Sequence, residues 1–372
     1  MKEIRGQLFT PAGEFLYGKI EVEEDIIKSV TILNREDLTD DERERFIIPG
    51  LVDIHTHGCA SHDTCGASYE GELAIVKYMR SHGITSFCPT TMTLSEETLT
   101  DVCANIARVA KECPEIKGIY LEGPFISEKK KGAQNADYIQ TADADMLGRL
   151  NKAADGLIKI VAIAPETEGA IDVIRDNSKD YKFSIAHTDC DYDIAKQAIE
   201  AGANHVTHLY NAMPAYSHRA PGVIGAAADS ADTRVELICD GIHVHPAVIR
   251  NTFKLFGNER VVLISDSMEA TGMPDGQYSL GGQTVIMQNR KATLVDGTIA
   301  GSASNLFDCL TFVINNGVDR SSAIMAATRN PAREIGIYDK VGSIEAGKRA
   351  ELLVLDSAFG LDKVIQNEND IN

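Results

Sequence analysis

The sequence predicts an α/β protein built on a closed (β/α)8 barrel. From residue 51 onward, short and nearly continuous apolar runs alternate with helical patterns. Strands that are apolar on both faces and separated by helices are typical of a parallel sheet covered on both sides. Eight such units over roughly 290 residues fit the usual size of this barrel. A doubly wound open sheet is the alternative, but no GxGxxG motif follows an early strand to favour it.

The eight predicted strands are short runs of mostly apolar residues. In chain order they are 51–54, 84–88, 118–121, 158–164, 183–186, 205–209, 235–239 and 261–264. Helical spacing separates most of them, as in the segments closed by Gly83 and Gly202. Glycine just past the last turn is a usual helix stop, because it adopts the left-handed conformation at little cost.

The two ends of the chain are rich in β-type patterns. Residues 15–22 and 26–33 alternate like strands, and the tail from Gly342 predicts a hairpin followed by a further strand at 352–355. We therefore expect a small β-sandwich domain of residues 1–48 plus 343–372, beside a barrel domain of residues 49–342. Residues 276–300 carry turn signals and predict β-hairpins inserted after the last barrel strand.

Composition excludes some classes of function. The chain has 36 basic and 55 acidic residues, a formal net charge of −19. Such a surface repels phosphate backbones and anionic lipid, so we expect neither nucleic acid nor a membrane as a partner. A small anionic substrate also looks improbable from this number alone. The eight cysteines form no CxxC pair and the first 15 residues lack a signal-peptide core, so we expect reduced thiols in a cytoplasmic protein.

Polar residues follow several predicted strands at the barrel edge where such enzymes place their active sites. His55 and His57 share one face of a strand, so both imidazoles can reach one metal ion, although such a pair can also be hydrogen-bonded core histidines. Glu122 ends an apolar strand, where a carboxylate is costly to bury unless it is paired or ligating. With His187 and His208, it makes a two-histidine, one-carboxylate set that leaves a position open for water.

Two further residues belong to the same predicted edge. Asp266 ends the eighth strand, and His243 follows the seventh, which makes it a candidate substrate contact. The remaining histidines (62, 82, 205, 218 and 245) lie in loops or at the ends of helices and strands, where a solvated or structural role is expected. The sequence predicts a metal site because six residues are all expected at the same mouth of the barrel, namely His55, His57, Glu122, His187, His208 and Asp266.

Longer motifs carry a resemblance to a known family. The segment PGLVDIHTHG at 49–58 and the tail from Asn330 to Asp356 resemble the amidohydrolase superfamily. Within it, the N-acetylglucosamine-6-phosphate deacetylases are the branch that the internal motifs resemble, namely LEGPFIS at 121–127, KGAQN at 131–135, HLYNAM at 208–213, RAPG at 219–222, DGIHV at 240–244 and ISDSM at 264–268. The resemblance covers essentially the whole chain.

The resemblance implies roles for individual residues. It makes Glu122, His187 and His208 the ligands of a catalytic divalent metal and Asp266 the acid/base. Since both histidines of the HxH are present, a second ion bridged by Glu122 is also implied, which gives one or two ions of Zn, Fe, Mn or Co per subunit. The implied substrate-binding residues are Ala133, Gln134, Asn211, Ala212, Arg219, His243, Ile299, Ala300 and Gly301, and Gln134 stands where other members carry histidine.

The implied activity is hydrolysis of the acetamide of N-acetyl-D-glucosamine 6-phosphate, in amino-sugar catabolism and cell-wall sugar recycling. A phosphorylated amino sugar is then the small-molecule partner, and the resemblance suggests a homodimer. Alternatives are another metal-dependent amidohydrolase, such as a cyclic-amide hydrolase or deaminase, and a non-catalytic relative that serves as a binding protein. A sugar phosphate on so acidic a protein requires a locally positive mouth, since a ligand responds to the local field.

Overall fold

The structure, a computed structural model, describes residues 1–371. A six-stranded sheet joins the two ends of the chain in the order β19-β18-β4-β1-β2-β3. Its strands are β1 (Lys2–Phe9), β2 (Phe15–Glu23), β3 (Ile26–Ile32), β4 (Phe46–Pro49), β18 (Leu352–Leu355) and β19 (Leu361–Ile365). Alternating aliphatic residues such as Ile20, Ile47 and Leu352 are fully buried on one face of this sheet, where they pack into a small hydrophobic core of its own.

The tail differs from its prediction. No hairpin forms in residues 342–350, a stretch of turns with no named strand. The hairpin is made instead by β18 and β19, which pair in antiparallel fashion. Glycines at 342 and 347 both have positive φ, and these left-handed turns lead the chain to β18 without strand pairing between them.

In the described part of the chain, eight parallel strands form the barrel, and each predicted run corresponds to one of them. They are β5 (Leu51–Thr56), β8 (Ile84–Pro89), β9 (Ile119–Leu121), β10 (Ile158–Ile163), β11 (Lys182–Ile185), β12 (His205–Val206), β13 (Arg234–Ile238) and β14 (Val261–Ile264). Strands β9 to β14 form one continuous sheet, and β5 pairs with β8. Parallel bridges of Thr56 with Ser267 and of Thr90 with Tyr120 close the remaining two seams.

Within residues 1–371, eleven α-helices accompany the strands. They are α1 (Asp40–Glu44), α2 (Tyr69–Ser81), α3 (Glu96–Ala110), α4 (Ala144–Ala153), α5 (Ala170–Asn177), α6 (Tyr192–Ala201), α7 (Gly222–Asp229), α8 (Pro246–Phe256), α9 (Leu306–Asn315), α10 (Arg320–Ala327) and α11 (Arg329–Glu334). Local sequence sets several ends: the Ser95 and Asp191 side chains cap α3 and α6, and Gly202 ends α6. In residues 1–371, no helix combines the length and apolarity needed to cross a bilayer.

Two small β elements border the barrel mouth. After β14, the strands β15 (Gly276–Leu280), β16 (Gln283–Gln288) and β17 (Lys291–Leu294) form an antiparallel meander where hairpins were predicted. A short hairpin of β6 (Gly58–Cys59) and β7 (His62–Asp63) follows β5. The Asp63 carboxylate accepts a hydrogen bond from the Gly281 N–H at 2.8 Å, so the meander is fastened to a loop beside the mouth.

Candidate active site

Six ionisable side chains converge at the carboxyl ends of the barrel strands. Three of them, His187, His208 and Asp266, have left-handed backbones with φ of 43°, 27° and 49°. Residues with a side chain rarely adopt this conformation, which is costly unless the surroundings enforce it, and such strain is concentrated at functional sites. These bends occur directly after β11, β12 and β14, at the points where the chain leaves the barrel wall.

The first group consists of Glu122, His187 and His208, all buried. The Nε2 atoms of both histidines lie 3.2 Å from the same oxygen, Oε1 of Glu122, and 3.2 Å from each other. Gly123 follows the glutamate with φ of +79°, and a Cβ there would lie 2.1 Å from the Thr93 hydroxyl oxygen. Only glycine therefore fits this turn after the ligand-bearing strand.

The second group consists of His55, His57 and Asp266, again all buried. Oδ1 of Asp266 lies 3.2 Å from Nε2 of His57 and 3.6 Å from Nε2 of His55. Glu122 lies between the two groups, because its Oε2 is 3.3 Å from Nε2 of His57. The family resemblance implied that Asp266 is the acid/base, whereas its position also makes it a candidate ligand.

The donor atoms of both groups fit a divalent cation. Nδ1 of His187 is 3.0 Å from the Lys130 carbonyl oxygen, and Nδ1 of His57 is 3.2 Å from that of Thr90. Each Nδ1 can therefore donate its proton to a carbonyl, which leaves the Nε2 lone pair facing the centre. Two lone pairs and a carboxylate within 3.2 Å repel one another unless a cation or protons lie between them. Tetrahedral zinc ligands at about 2.1 Å are spaced about 3.4 Å apart, close to these separations.

Electrostatics favour the same interpretation. Burial raises the pKa of Glu122, but electrostatic attraction to His55 and hydrogen bonds to His187 and His208 outweigh it and hold this pKa well below its usual range. Burial likewise opposes ionisation of Asp266, and His57 and His55 outweigh it, so its pKa is lowered. Burial alone lowers the pKa of His57, yet Asp266 and Glu122 raise it to about 10. Without a metal, the protonated imidazole of His57 partly balances the charge of these carboxylates, a role that a cation would take over.

A cavity of about 290 Å³ opens above the two groups. Its size is near the lower end of the range for small-molecule sites. Of the residues expected to ligate, catalyse or bind substrate, it is lined by His57, Glu122, Ala133, Gln134, His187, His208, Asn211, Ala212, His243, Asp266, Ile299 and Gly301. Met92, Gly132, Ile238, Leu280 and Thr298, which the sequence did not single out, complete the wall.

Three expected site residues lie outside the cavity lining. His55 is fully buried beneath it, and Ala300 is buried in the chain behind it. Arg219 is exposed in the loop between β12 and α7 and does not reach the cavity. Among the described residues, no lysine or arginine lines the cavity, so any positive field there comes from histidines, backbone N–H groups and a bound cation.

Both the oxygen and the nitrogen of the Gln134 side-chain amide form hydrogen bonds. Its Nε2 donates to Oε2 of Glu122 at 2.7 Å, and its Oε1 accepts from the Thr93 N–H at 2.7 Å. The side chain is 2% exposed. In this arrangement Gln134 orients the central carboxylate, in addition to forming part of the cavity wall.

His243 reaches the cavity from the loop after β13. Its Nδ1 lies 2.8 Å from Oδ2 of Asp240, which also accepts hydrogen bonds at Oδ1 from two backbone N–H groups of the same loop. Burial lowers the pKa of His243, but Asp240 outweighs it and raises this pKa. The imidazole is therefore held as a hydrogen-bond donor at the cavity wall.

Sequence reasoning overlooked Glu236, which is fully buried in β13. Its Oε2 lies 3.0 Å from Nδ1 of His55, the partner that leaves Nε2 of His55 facing the metal centre. The signal was present in the sequence, because Glu236 is a lone carboxylate inside the apolar run 235–239. Like Glu122, it is a carboxylate of an apolar strand, which is costly to bury unless it is paired or ligating.

Comparisons with known proteins agree with this geometry. The model of the Amidohydrolase family matches residues 46–371. The chain belongs to the amidohydrolase family. A divalent metal is a general feature of the chemistry of this family, and the two buried groups of ligand-type residues are suited to hold one.

Relatives within the amidohydrolase family are more specific. The chain is 38% identical to the N-acetylglucosamine-6-phosphate deacetylase of Bacillus subtilis over 84% of its length and 81% of that protein. It is 32% identical to the N-acetylgalactosamine-6-phosphate deacetylase of Escherichia coli O157:H7 over 86% of its length and 85% of that protein. Among solved structures, a mutant Mycobacterium smegmatis N-acetyl-D-glucosamine-6-phosphate deacetylase in complex with N-acetyl-D-glucosamine-6-phosphate matches with a TM-score of 0.92 and 32% identity, covering 98% of this chain and 97% of that one.

Proposed function

We propose that this amidohydrolase hydrolyses the acetamide of N-acetyl-D-glucosamine 6-phosphate to glucosamine 6-phosphate and acetate. The observation that carries the proposal is the pair of buried ligand groups at the base of one cavity, with Glu122 of the first group lying close to His57 of the second, which also contains Asp266. Relatives at 38% and 36% identity are named for this reaction. They do not favour a cyclic-amide hydrolase, a deaminase or a non-catalytic binding protein.

Glu122, His187 and His208 would hold the first cation, and His55, His57 and Asp266 would hold a second, with Glu122 between them. Imidazole and carboxylate ligands suit Zn, Fe, Mn and Co, in one or two ions per subunit. When bound, such a cation polarises the acetyl carbonyl and increases the acidity of water. The first group provides three protein ligands, the number typical of catalytic sites that keep a position open.

Asp266 is the proposed acid/base. Its carboxylate takes a proton from water while the water oxygen bonds to the acetyl carbon, and it returns that proton to the nitrogen as the carbon–nitrogen bond breaks. An amine leaves readily only after this protonation. His243, held as a donor by Asp240, is placed to orient the sugar or to stabilise negative charge on the acetyl oxygen.

Within residues 1–371, no lysine or arginine reaches the cavity to pair with the substrate's phosphate. We propose that the protein is a homodimer and that the exposed Arg219 of one copy serves the cavity of the other. The remaining proposed substrate contacts are Ala133, Gln134, Asn211, Ala212, His243, Ile299, Ala300 and Gly301.

Mixing two impaired variants tests this arrangement. In a mixed dimer of Arg219→Ala and Asp266→Asn, one cavity has its own Asp266 and receives Arg219 from the other copy. At low substrate concentration, co-expression should therefore give faster deacetylation than the same amount of either variant alone. Absence of recovery, or a monomer by light scattering, would contradict the dimer proposal.

The function itself is tested by acetate release together with elemental analysis. The purified protein should release acetate from N-acetylglucosamine 6-phosphate, with weaker activity on unphosphorylated N-acetylglucosamine and none on dihydropyrimidine or nucleobase substrates. N-acetylgalactosamine 6-phosphate is the informative second substrate, since one relative is named for it. A protein that contains metal but releases no acetate from any of these sugars would refute the proposal.

We also propose the domain division of residues 1–48 plus 343–372 and 49–342, and a location in the cytoplasm. The end of β4 at Pro49 and the start of β5 at Leu51 support a boundary between the terminal sheet and the barrel. The eight cysteines are all free thiols, and free thiols are typical of reducing compartments. Limited proteolysis tests the domain division, and fractionation of cells tests the location.

A further inference from the structure

A buried carboxylate, Glu236, connects the active site to the interior of the barrel. Its Oε2 lies 3.0 Å from Nδ1 of His55 and accepts from the His208 N–H at 3.2 Å. Its Oε1 lies 2.9 Å from Nε2 of His205. All three side chains are buried, with 0% exposure for Glu236, His55 and His205. Both carboxylate oxygens are therefore occupied, and one of them contacts a candidate metal ligand.

The chain of contacts continues to the opposite end of the barrel. Nδ1 of His205 lies 3.4 Å from Oε1 of Glu334 in α11. Glu334 in turn lies 2.9 Å from Nζ of Lys182 and 3.1 Å from Nε of Arg234. His205, Lys182 and Arg234 are the first residues of β12, β11 and β13, so this end lies at the amino-terminal edge of the strands.

The other ring nitrogen of His55 has no hydrogen-bond partner in the described part of the chain. This Nε2 lies 3.5 Å from Oε1 of Glu122 and 3.6 Å from Oδ1 of Asp266. Both distances are too long for a hydrogen bond. They suit two atoms that share a cation, so the lone pair of His55 is directed at the second proposed metal position.

We propose that Glu236 is a positioning residue for this second cation: it holds His55 in the tautomer whose Nε2 is free to bind. Glu236 accepts a hydrogen bond from the Nδ1–H group of His55. The alternating charges of His205, Glu334, Lys182 and Arg234 stabilise its ionised carboxylate deep inside the barrel. An uncompensated buried charge would otherwise be expensive. The inference rests on the metal dependence proposed above and adds a residue that does not itself touch metal or substrate.

Glu236→Gln is the informative substitution. Glutamine keeps the size of the side chain but has one acceptor oxygen, so it cannot accept from both His55 and His205. Loss of a carboxylate partner of a metal-binding histidine typically weakens metal affinity about 10- to 100-fold. We expect the second Zn²⁺ site to weaken by that factor and the site at Glu122, His187 and His208 to keep its affinity. Glu72→Gln is the matched control, because Glu72 is equally buried but contacts none of these histidines.

The experiment is a titration of metal-free protein with Zn²⁺ against a competing chromogenic chelator, with elemental analysis of the loaded protein. Two sites of unchanged affinity in Glu236→Gln would overturn the inference. One Zn²⁺ per wild-type subunit would also overturn it, while acetate release by that protein would leave the proposed function standing. If the variant does not fold, ¹⁵N-histidine NMR of the native metal-free protein decides. The proton of His55 should be on Nδ1, and its presence on Nε2 would refute the proposal.

Discussion

Glu72 provides a quantitative test of the packing beside the site. It lies in the first turn of α2 with 1% of its surface exposed, and neither carboxyl oxygen has a hydrogen-bond partner in residues 1–371. Burial raises the pKa of Glu72 from 4.5 to about 8, with the charge of Asp63 adding to the effect and the hydroxyl of Thr64 opposing it. The protein therefore keeps this carboxyl protonated at neutral pH.

The sign of the effect on stability follows from this raised pKa. Below pH 4.5 the carboxyl is protonated in both the folded and the unfolded chain, so there is no penalty. Between pH 4.5 and about 8 only the unfolded chain ionises, so stability falls by about 1.4 kcal/mol per pH unit. Above pH 8 the full cost is present, roughly 5 kcal/mol. Glu72→Gln removes the ionisable group, so its stability advantage should grow with pH by up to this amount.

Urea unfolding of the metal-loaded protein at pH 5, 6, 7 and 8 measures the difference between the variant and wild type at each pH. Other titrating groups cancel in that difference. Glu70→Gln is the matched control, because Glu70 is exposed in the same turn and its carboxyl pays no cost of burial. If the curves of wild type and Glu72→Gln stay parallel from pH 5 to 8, this reasoning about Glu72 is wrong.

Three further expectations concern the site. Asp266→Asn should lower kcat by about 10²- to 10⁴-fold while the site at Glu122 keeps its metal, and steady-state kinetics with unchanged turnover would remove Asp266 from its role. Arg219→Ala should raise KM for the phosphorylated sugar about tenfold or more and leave the unphosphorylated sugar unaffected, whereas equal losses on both would refute a phosphate contact. Gln134→Leu leaves Oε2 of Glu122 without its amide donor, so metal affinity should fall about 10- to 100-fold, and chelator competition showing wild-type affinity would contradict this.

The barrel and the meeting of polar residues at its mouth were predictable for a physical reason. Parallel strands end at one edge, so side chains placed just after different strands are brought together whatever the helices between them do. His187 and His208 follow Glu122 by 65 and 86 residues, yet the Nε2 atom of each lies 3.2 Å from Oε1 of Glu122. The apolar runs mark where each strand ends, and this was enough to predict that these three side chains meet at the barrel mouth.

Other features were beyond sequence patterns because they depend on details of neighbouring side chains. The left-handed backbones at His187, His208 and Asp266 are imposed by packing around residues with no preference for that conformation. The Gln134 amide could equally well have faced the cavity, and only its contacts with Thr93 and Glu122 show where it points. The tail was misread because its glycines form turns that lead to a later hairpin.

The terminal sheet has a consequence for synthesis of the chain. β4 is hydrogen-bonded to β1 on one side and to β18 on the other, and β18 begins at Leu352, about 300 residues later. When a ribosome-bound chain has emerged only as far as the end of the barrel domain, one hydrogen-bonding edge of β4 is still exposed. An unpaired strand edge is an open template for pairing with other chains. Ribosome-bound chains stopped before Leu352 should therefore aggregate more readily than chains that include β18, because β18 covers this edge of β4.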